Sequence, residues 1–278
     1  TPHLGMEHQT INAYGNEYRF DGRGYDWLLQ HEFSHEWFAN QLTNRNADDM
    51  WLHEGLGSYM QPLYAGWLRG DRYMHRELAD QREGLMNRAP VVSRTPQTVN
   101  DVYNRPTGPG GDIYSKGSQI AHTLRMVLGD EDFFEALRIL VYGRPDPAPG
   151  NFTPQTRSTE DFNEIVNQVS GKNYDWFFNA YLYEASLPVL TQEREGDRLT
   201  LTWSTPAGDF PMPVEVGLDG QVHVVEMARG QGSISVGDAR VIRVDPQNKI
   251  LRQLDAVDRL QAYRREQRQR NAEAGGRQ

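Results

Sequence analysis

The chain has no cysteine among its 278 residues, which rules out a disulfide framework and any thiolate metal site. It also lacks a run approaching the ~18 consecutive apolar residues that a membrane-spanning helix needs. Basic residues are in deficit: 29 Lys and Arg face 38 Asp and Glu, for a net charge of −9 and a pI near 5.4. That balance argues against nucleic acid and against anionic membrane surfaces as partners. No internal repeat is visible, and neither is a signal peptide, so any leader has been removed or lies outside this sequence. The compartment stays open, with a chain outside the bacterial inner membrane weighed above a cytoplasmic one. Nothing sets an oligomeric state. The length allows one large or two ordinary domains, with ample core.

What the chain does have is His31-Glu32-Phe33-Ser34-His35, followed after 18 intervening residues by Glu54 within Trp51-Leu52-His53-Glu54-Gly55. Residues four apart share a helix face, so His31 and His35 can grip one cation while Glu32 points into the same cleft. Catalytic zinc takes three protein ligands and keeps one position open. The spacing therefore predicts one Zn2+ per chain, held by His31, His35 and Glu54, with Glu32 as the general base of a hydrolase. An H-E-x-x-H pentapeptide also arises by chance on solvated helices. Here Leu29, Phe33 and Trp37 on one side, with Leu28 and Ala39 beside the histidines on the other, predict a buried helix. Buried ionisable groups are normally paired or metal-bound. Ligating histidines usually donate their second ring nitrogen to an oxygen behind them, and Asp48, Asp49, Asp112 and Lys116 are candidates for outer positions.

These motifs resemble the gluzincin aminopeptidases, the family of aminopeptidase N and leukotriene hydrolase. The zinc motif continues through Asn40, Gly5-Met6-Glu7-His8 is similar to the family's G-x-M-E-N motif, and Tyr114-Ser115-Lys116-Gly117 to its Y-x-K-G. Glu7 stands 24 residues before His31, a separation that fits the family. A weaker match runs from Tyr174 to Tyr181 and on to Leu187-Pro188. Leu4, His8 and His53 depart from the family pattern, though none of them is a metal ligand.

The resemblance implies a zinc-dependent aminopeptidase acting on peptides with a free amino terminus. In that role Tyr114 would stabilise the oxyanion, Glu7 would hold the substrate's α-amino group, and Gly5 and Met6 would offer backbone to the substrate. It also implies an upstream β domain and the first strands of the catalytic domain, which this sequence does not contain. Read alone, Glu7 is a loop acid in an extended stretch and Tyr114 is one of 13 tyrosines. An endopeptidase of the same metal class and a weak or inactive peptide-binding scaffold of the same fold remain as alternatives.

The expected architecture is α+β: a mostly helical, thermolysin-like catalytic domain over residues 1–186, then a small antiparallel β-sandwich over 187–250 and a tail over 251–278. After a strand and loop to residue 20, helices are predicted near 25–42, 54–68 and 71–87. A Pro- and Gly-containing loop over 88–112 is of a kind that lines clefts. Helices resume at 114–128, 130–141, from Ser158 to Val169, and at 174–183. From Leu187 the apolar period changes to two, and Asp219-Gly220 marks a type I′ hairpin. The tail reads as a solvated, frayed helix. The remaining histidines (His3, His8, His53, His75, His122, His223) have no ligand spacing.

Overall fold

The computed structural model describes residues 4–20, 22–150 and 153–275, so Pro2 and His3 lie outside it. The first strands form a short antiparallel pair, β1 (Gly5–Met6) and β2 (Ala13–Tyr14), with Gly5 opposite Tyr14. Helix α1 (Trp27–Ser34) follows, opened by Asp26, whose side chain accepts the Leu29 amide at 3.1 Å and so satisfies a free helix-end donor.

The predicted helix over 25–42 does not run through. After His35 the chain widens into a π-type turn over Glu36–Gln41, with the Asn40 amide reaching the His35 carbonyl at 2.9 Å and non-helical angles at Phe38 and Ala39. Burial of α1 also differs from the expectation. Leu28, His31, Glu32 and Ser34 are buried, but Phe33 is 54% and Trp37 48% exposed. This apolar stripe joins Phe20, Leu29, Tyr64 and Trp67 along a groove of about 660 Å³. The cause is one-sided packing, since the described residues cover only the histidine face of α1.

Beyond the break, β3 (Leu42–Asn44) pairs in parallel with β4 (Gln155–Arg157). Helix α2 (Trp51–Arg69) is the centre of the fold and buries Trp51, Leu52, Leu56 and Tyr59. It starts three residues earlier than predicted, which places Glu54 in its first turn. Helix α3 (Asp71–Glu83) stops short of the predicted 87, and Asn87 adopts φ 51°. Within the long loop the Thr98/Asp101 capping box opens a single turn, α4 (Val99–Val102). Helices α5 (Asp112–Leu128), α6 (Asp130–Tyr142), α7 (Thr159–Ser170) and α8 (Asp175–Tyr181) match the predicted set within a few residues.

Helices α2 and α5 meet at two glycines. A Cβ on Gly117 would stand 2.7 Å from the Gly55 Cα, and one on Gly55 would stand 2.9 Å from the Gly117 Cα. Those distances are below any real Cβ contact, so the two backbones touch only because both positions are glycine.

The β part is two three-stranded antiparallel sheets. Strands β5 (Val189–Glu195), β6 (Arg198–Ser204) and β9 (Gln231–Ser235) lie in the order β5-β6-β9; β7 (Val214–Leu218), β8 (Gln221–Val225) and β10 (Ile242–Val244) lie in the order β10-β7-β8. Leu199, Leu201 and Trp203 alternate inward as expected. Asp219 and Gly220 both have positive φ, 47° and 92°, as a type I′ turn requires. Phe210 packs edge-on against Trp176, Tyr181 and Trp203, so one hydrophobic core runs from the helices into the sheets. The tail forms α9 (Asp255–Gly275), moored where Gln261 donates to the carbonyls of Glu83 and Leu85. Among the described residues no helix is long and apolar enough to cross a membrane.

Candidate metal centre

Helix α1 sets His31 and His35 side by side, with their Nε2 atoms 3.1 Å apart. The first turn of α2 brings Glu54 opposite them, its Oε2 at 3.5 Å from each Nε2. All three side chains are buried. A tetrahedral zinc with bonds of about 2.0–2.1 Å spaces its ligand atoms about 3.3 Å apart, which is close to this triangle. Glu54 Oε2 is buried and accepts no hydrogen bond. An orphaned carboxylate oxygen facing two imidazoles is costly unless something positive sits there, so the donor set fits a zinc ion.

The break after His35 has a use here. It presents the Phe38 carbonyl to His35 Nδ1 at 3.0 Å. A carbonyl only accepts, so Nδ1 carries a hydrogen and Nε2 is the nitrogen turned toward Glu54 and His31, with a lone pair to offer there once its own proton has left. Burial alone would lower the His35 pKa, but the Glu54 carboxylate and this carbonyl outweigh it and raise the ring to about 9. That proton must leave before a cation binds. Burial also works against the charged form of Glu54, yet His31, His35 and the Tyr103 hydroxyl hold its carboxyl below the usual range.

Glu32 is buried beside the triangle, and its Oε2 accepts no hydrogen bond. Burial, with the Glu7 and Glu54 charges adding to it and His35 opposing, lifts its carboxyl to about 7. A group poised there can both take and return a proton near neutrality. Strand β1 lies against it: a Cβ on Gly5 would overlap the Glu32 carboxylate and displace it from this position. Oxygens of Glu7 and Glu32 and a ring nitrogen of His35 lie within 4.8 Å of one another. Asn40 Nδ2 donates to the Glu7 carbonyl at 3.1 Å and ties the strand to the segment after α1. Met6 sits half-buried on β1 opposite Ala13.

Tyr114, in the first turn of α5, donates its hydroxyl to Glu54 Oε1 at 2.9 Å, and its ring lies 6.0 Å from that of His31. A second phenol, absent from the sequence-derived set, reaches the same oxygen: Tyr103 donates to Glu54 Oε1 at 2.6 Å. Its one sequence signal was a place in the loop expected to line a cleft. Burial pushes both phenols well above their ordinary pKa.

The acidic candidates for outer positions do other work. Asp48 accepts the amides of Ser93 and Arg94, Asp49 accepts the amide and hydroxyl of Thr159, and Asp112 accepts the amides of Met86 and Asn87. Lys116, fully buried, donates to the carbonyls of Glu184 and Ala185. These four pin loops around the site, and the oxygen behind His35 is a backbone carbonyl instead. His53 accepts the Asn44 amide, His122 meets the Tyr59 hydroxyl, and His8 is exposed.

Two histidines and a glutamate converge on one point, with a second glutamate beside them, a donor set able to hold one cation on an α+β scaffold. The chain belongs to peptidase family M1, whose domain matches residues 20–181. It is 25% identical over 188 residues to aminopeptidase N of Lactococcus lactis, covering 63% of this chain and 20% of that protein. A probable aminopeptidase 2 of Sulfurisphaera tokodaii is 22% identical over 236 residues, covering 78% of this chain and 28% of its own length. The fold is similar to that of Legionella pneumophila aminopeptidase A solved with aspartic acid, at a TM-score of 0.68 and 19% identity, over 88% of this chain and 30% of that one. The chain thus spans under a third of the length of each of these relatives.

Proposed function

We propose that the chain is the catalytic region of a zinc aminopeptidase that removes the amino-terminal residue of peptides. Residues 1–186 would form the catalytic part and 187–250 the following β domain. The observation that carries the reading is the buried His31–His35–Glu54 triangle with its orphaned oxygen, set next to an equally orphaned Glu32. Family membership and the names of the relatives support peptide hydrolysis.

When bound, zinc would supply Lewis-acid polarisation and acidify a water. Glu32 takes a proton from the attacking water on its unpartnered Oε2 and delivers it to the departing amine. Tyr114, freed from Glu54, offers its hydroxyl to the oxyanion. Glu7, at the end of β1, holds the protonated amino terminus, and the backbone of Gly5 and Met6 pairs with the substrate as an added strand would. Anchoring the amine fixes which peptide bond reaches Glu32.

The direct test is zinc analysis of the chain together with turnover of a free-amino aminoacyl amide against its amino-blocked counterpart. Zinc binding without turnover would leave a peptide-binding scaffold, and equal turnover of both substrates would make the enzyme an endopeptidase.

Two predictions follow from single groups. Glu7→Ala removes a charge-assisted hydrogen bond worth ~1.5–3 kcal/mol, so kcat/KM for free-amino substrates should fall about 10- to 100-fold. Blocked substrates should hardly change, and a parallel fall in both would remove Glu7 from the amine site. Tyr114→Phe should lower kcat by about 10²–10³, since an oxyanion donor acts once charge has developed. Steady-state kinetics decide this one: an unchanged kcat with a raised KM would make Tyr114 a ground-state contact.

A further inference from the structure

We propose that Tyr103 is the positioning residue for the third metal ligand: its hydroxyl fixes Glu54 Oε1 so that Oε2 faces the two histidines, and it holds that carboxylate while Tyr114 serves the substrate. The proposal rests on the zinc reading above and goes beyond it in assigning separate roles to the two phenols.

A glutamate side chain has several rotatable bonds, and a carboxylate can offer a cation either oxygen or both. The structure removes that freedom at Glu54. Tyr103 at 2.6 Å and Tyr114 at 2.9 Å both donate to Oε1, and Oε2 is left to face His31 and His35. The shorter bond has the length of a hydroxyl donating to a charged oxygen. Tyr114 cannot keep this bond and also donate to an oxyanion, because a phenol has one hydrogen. When Tyr114 turns to the substrate, Tyr103 is the remaining side-chain donor on Oε1 among the described residues.

The loop is built to hold that phenol. Tyr103 follows α4, and its amide bonds the Val99 carbonyl at 3.0 Å. Val102 beside it is buried, and the Gly110 amide returns to the Val102 carbonyl at 2.9 Å. A Cβ on Gly108 would overlap the Asp101 carbonyl, so this return turn closes only around glycine. The Tyr103 ring packs 6.3 Å from that of Tyr114. Partners that orient metal ligands typically account for a 10- to 100-fold change in metal affinity.

The test uses the full chain with Tyr103→Phe and, in parallel, Tyr114→Phe. The zinc Kd is read by competition with a chelator, and kcat at saturating zinc. Melting of the metal-free proteins checks that each variant is folded. Tyr103→Phe should raise the zinc Kd about 10- to 100-fold, and at saturating zinc its kcat should fall less than that of Tyr114→Phe. A wild-type zinc Kd in a folded Tyr103→Phe would overturn the proposal while leaving the zinc site standing. Equal losses of affinity in the two variants would overturn the division of roles. Failure of the wild-type chain itself to bind zinc would instead overturn the functional reading beneath it.

Discussion

Glu32→Gln is expected to keep the metal and lower kcat by about 10²–10⁴-fold, the range that a positioned proton acceptor supplies. The substitution changes almost nothing except basicity. Glutamine has the shape of glutamate, and the Gly5 backbone lies against this side chain, so the amide would occupy the same slot. The atom that matters is Oε2, buried and without a hydrogen-bond partner, where an amide has no proton-accepting power at neutral pH. His31, His35 and Glu54 are untouched, so zinc stoichiometry should equal that of the unsubstituted chain. Zinc analysis and single-turnover kinetics on one preparation check both halves. Near-normal turnover would show that the proton goes elsewhere.

Glu54→Ala is expected to act through the metal. It leaves two imidazoles, and a site with two ligands should bind zinc more than about 100-fold more weakly, since removing even an outer partner of a ligand costs about 10- to 100-fold. It also strips the acceptor from the hydroxyls of Tyr103, which is 37% exposed, and of half-buried Tyr114, so water replaces part of what is lost. His31→Ala should lose the metal without this second effect. The comparison is equilibrium dialysis against zinc, with melting of the metal-free proteins alongside. Full zinc retention in either variant would remove that residue from the ligand set.

The parts of this molecule that were legible in the sequence are those that local spacing alone brings together. His31, His35 and Glu54 sit at spacings that two helices turn into a shared point, and Asp219-Gly220 sets its hairpin by backbone preference alone. The break after His35 was hidden because Glu36 to Gln41 contains neither proline nor glycine. Tyr103 was hidden for a different reason: it reaches Glu54 from 49 residues away through a loop whose path only the folded chain reveals. Asp48 and Asp49 stand near the motif in sequence, but their carboxylates turn to the loop at Ser93 and to the start of α7 at Thr159. Phe33 and Trp37 show the limit of an apolar stripe as a signal, since it marks a face that can be covered without saying what covers it.

The contact between Gly55 and Gly117 has a consequence for how the site is calibrated. Glu54 and Tyr114 belong to different helices, and each lies within three residues of one of these glycines. The gap between the proposed ligand and its phenol is thus gauged by two positions that have no side chain of their own. Catalytic geometry tolerates little error, with a displacement of ~1 Å costing on the order of 10²-fold. Any side chain at either glycine forces the helices apart by a comparable amount. The tolerance of the chemistry is therefore written into residues that take no part in it.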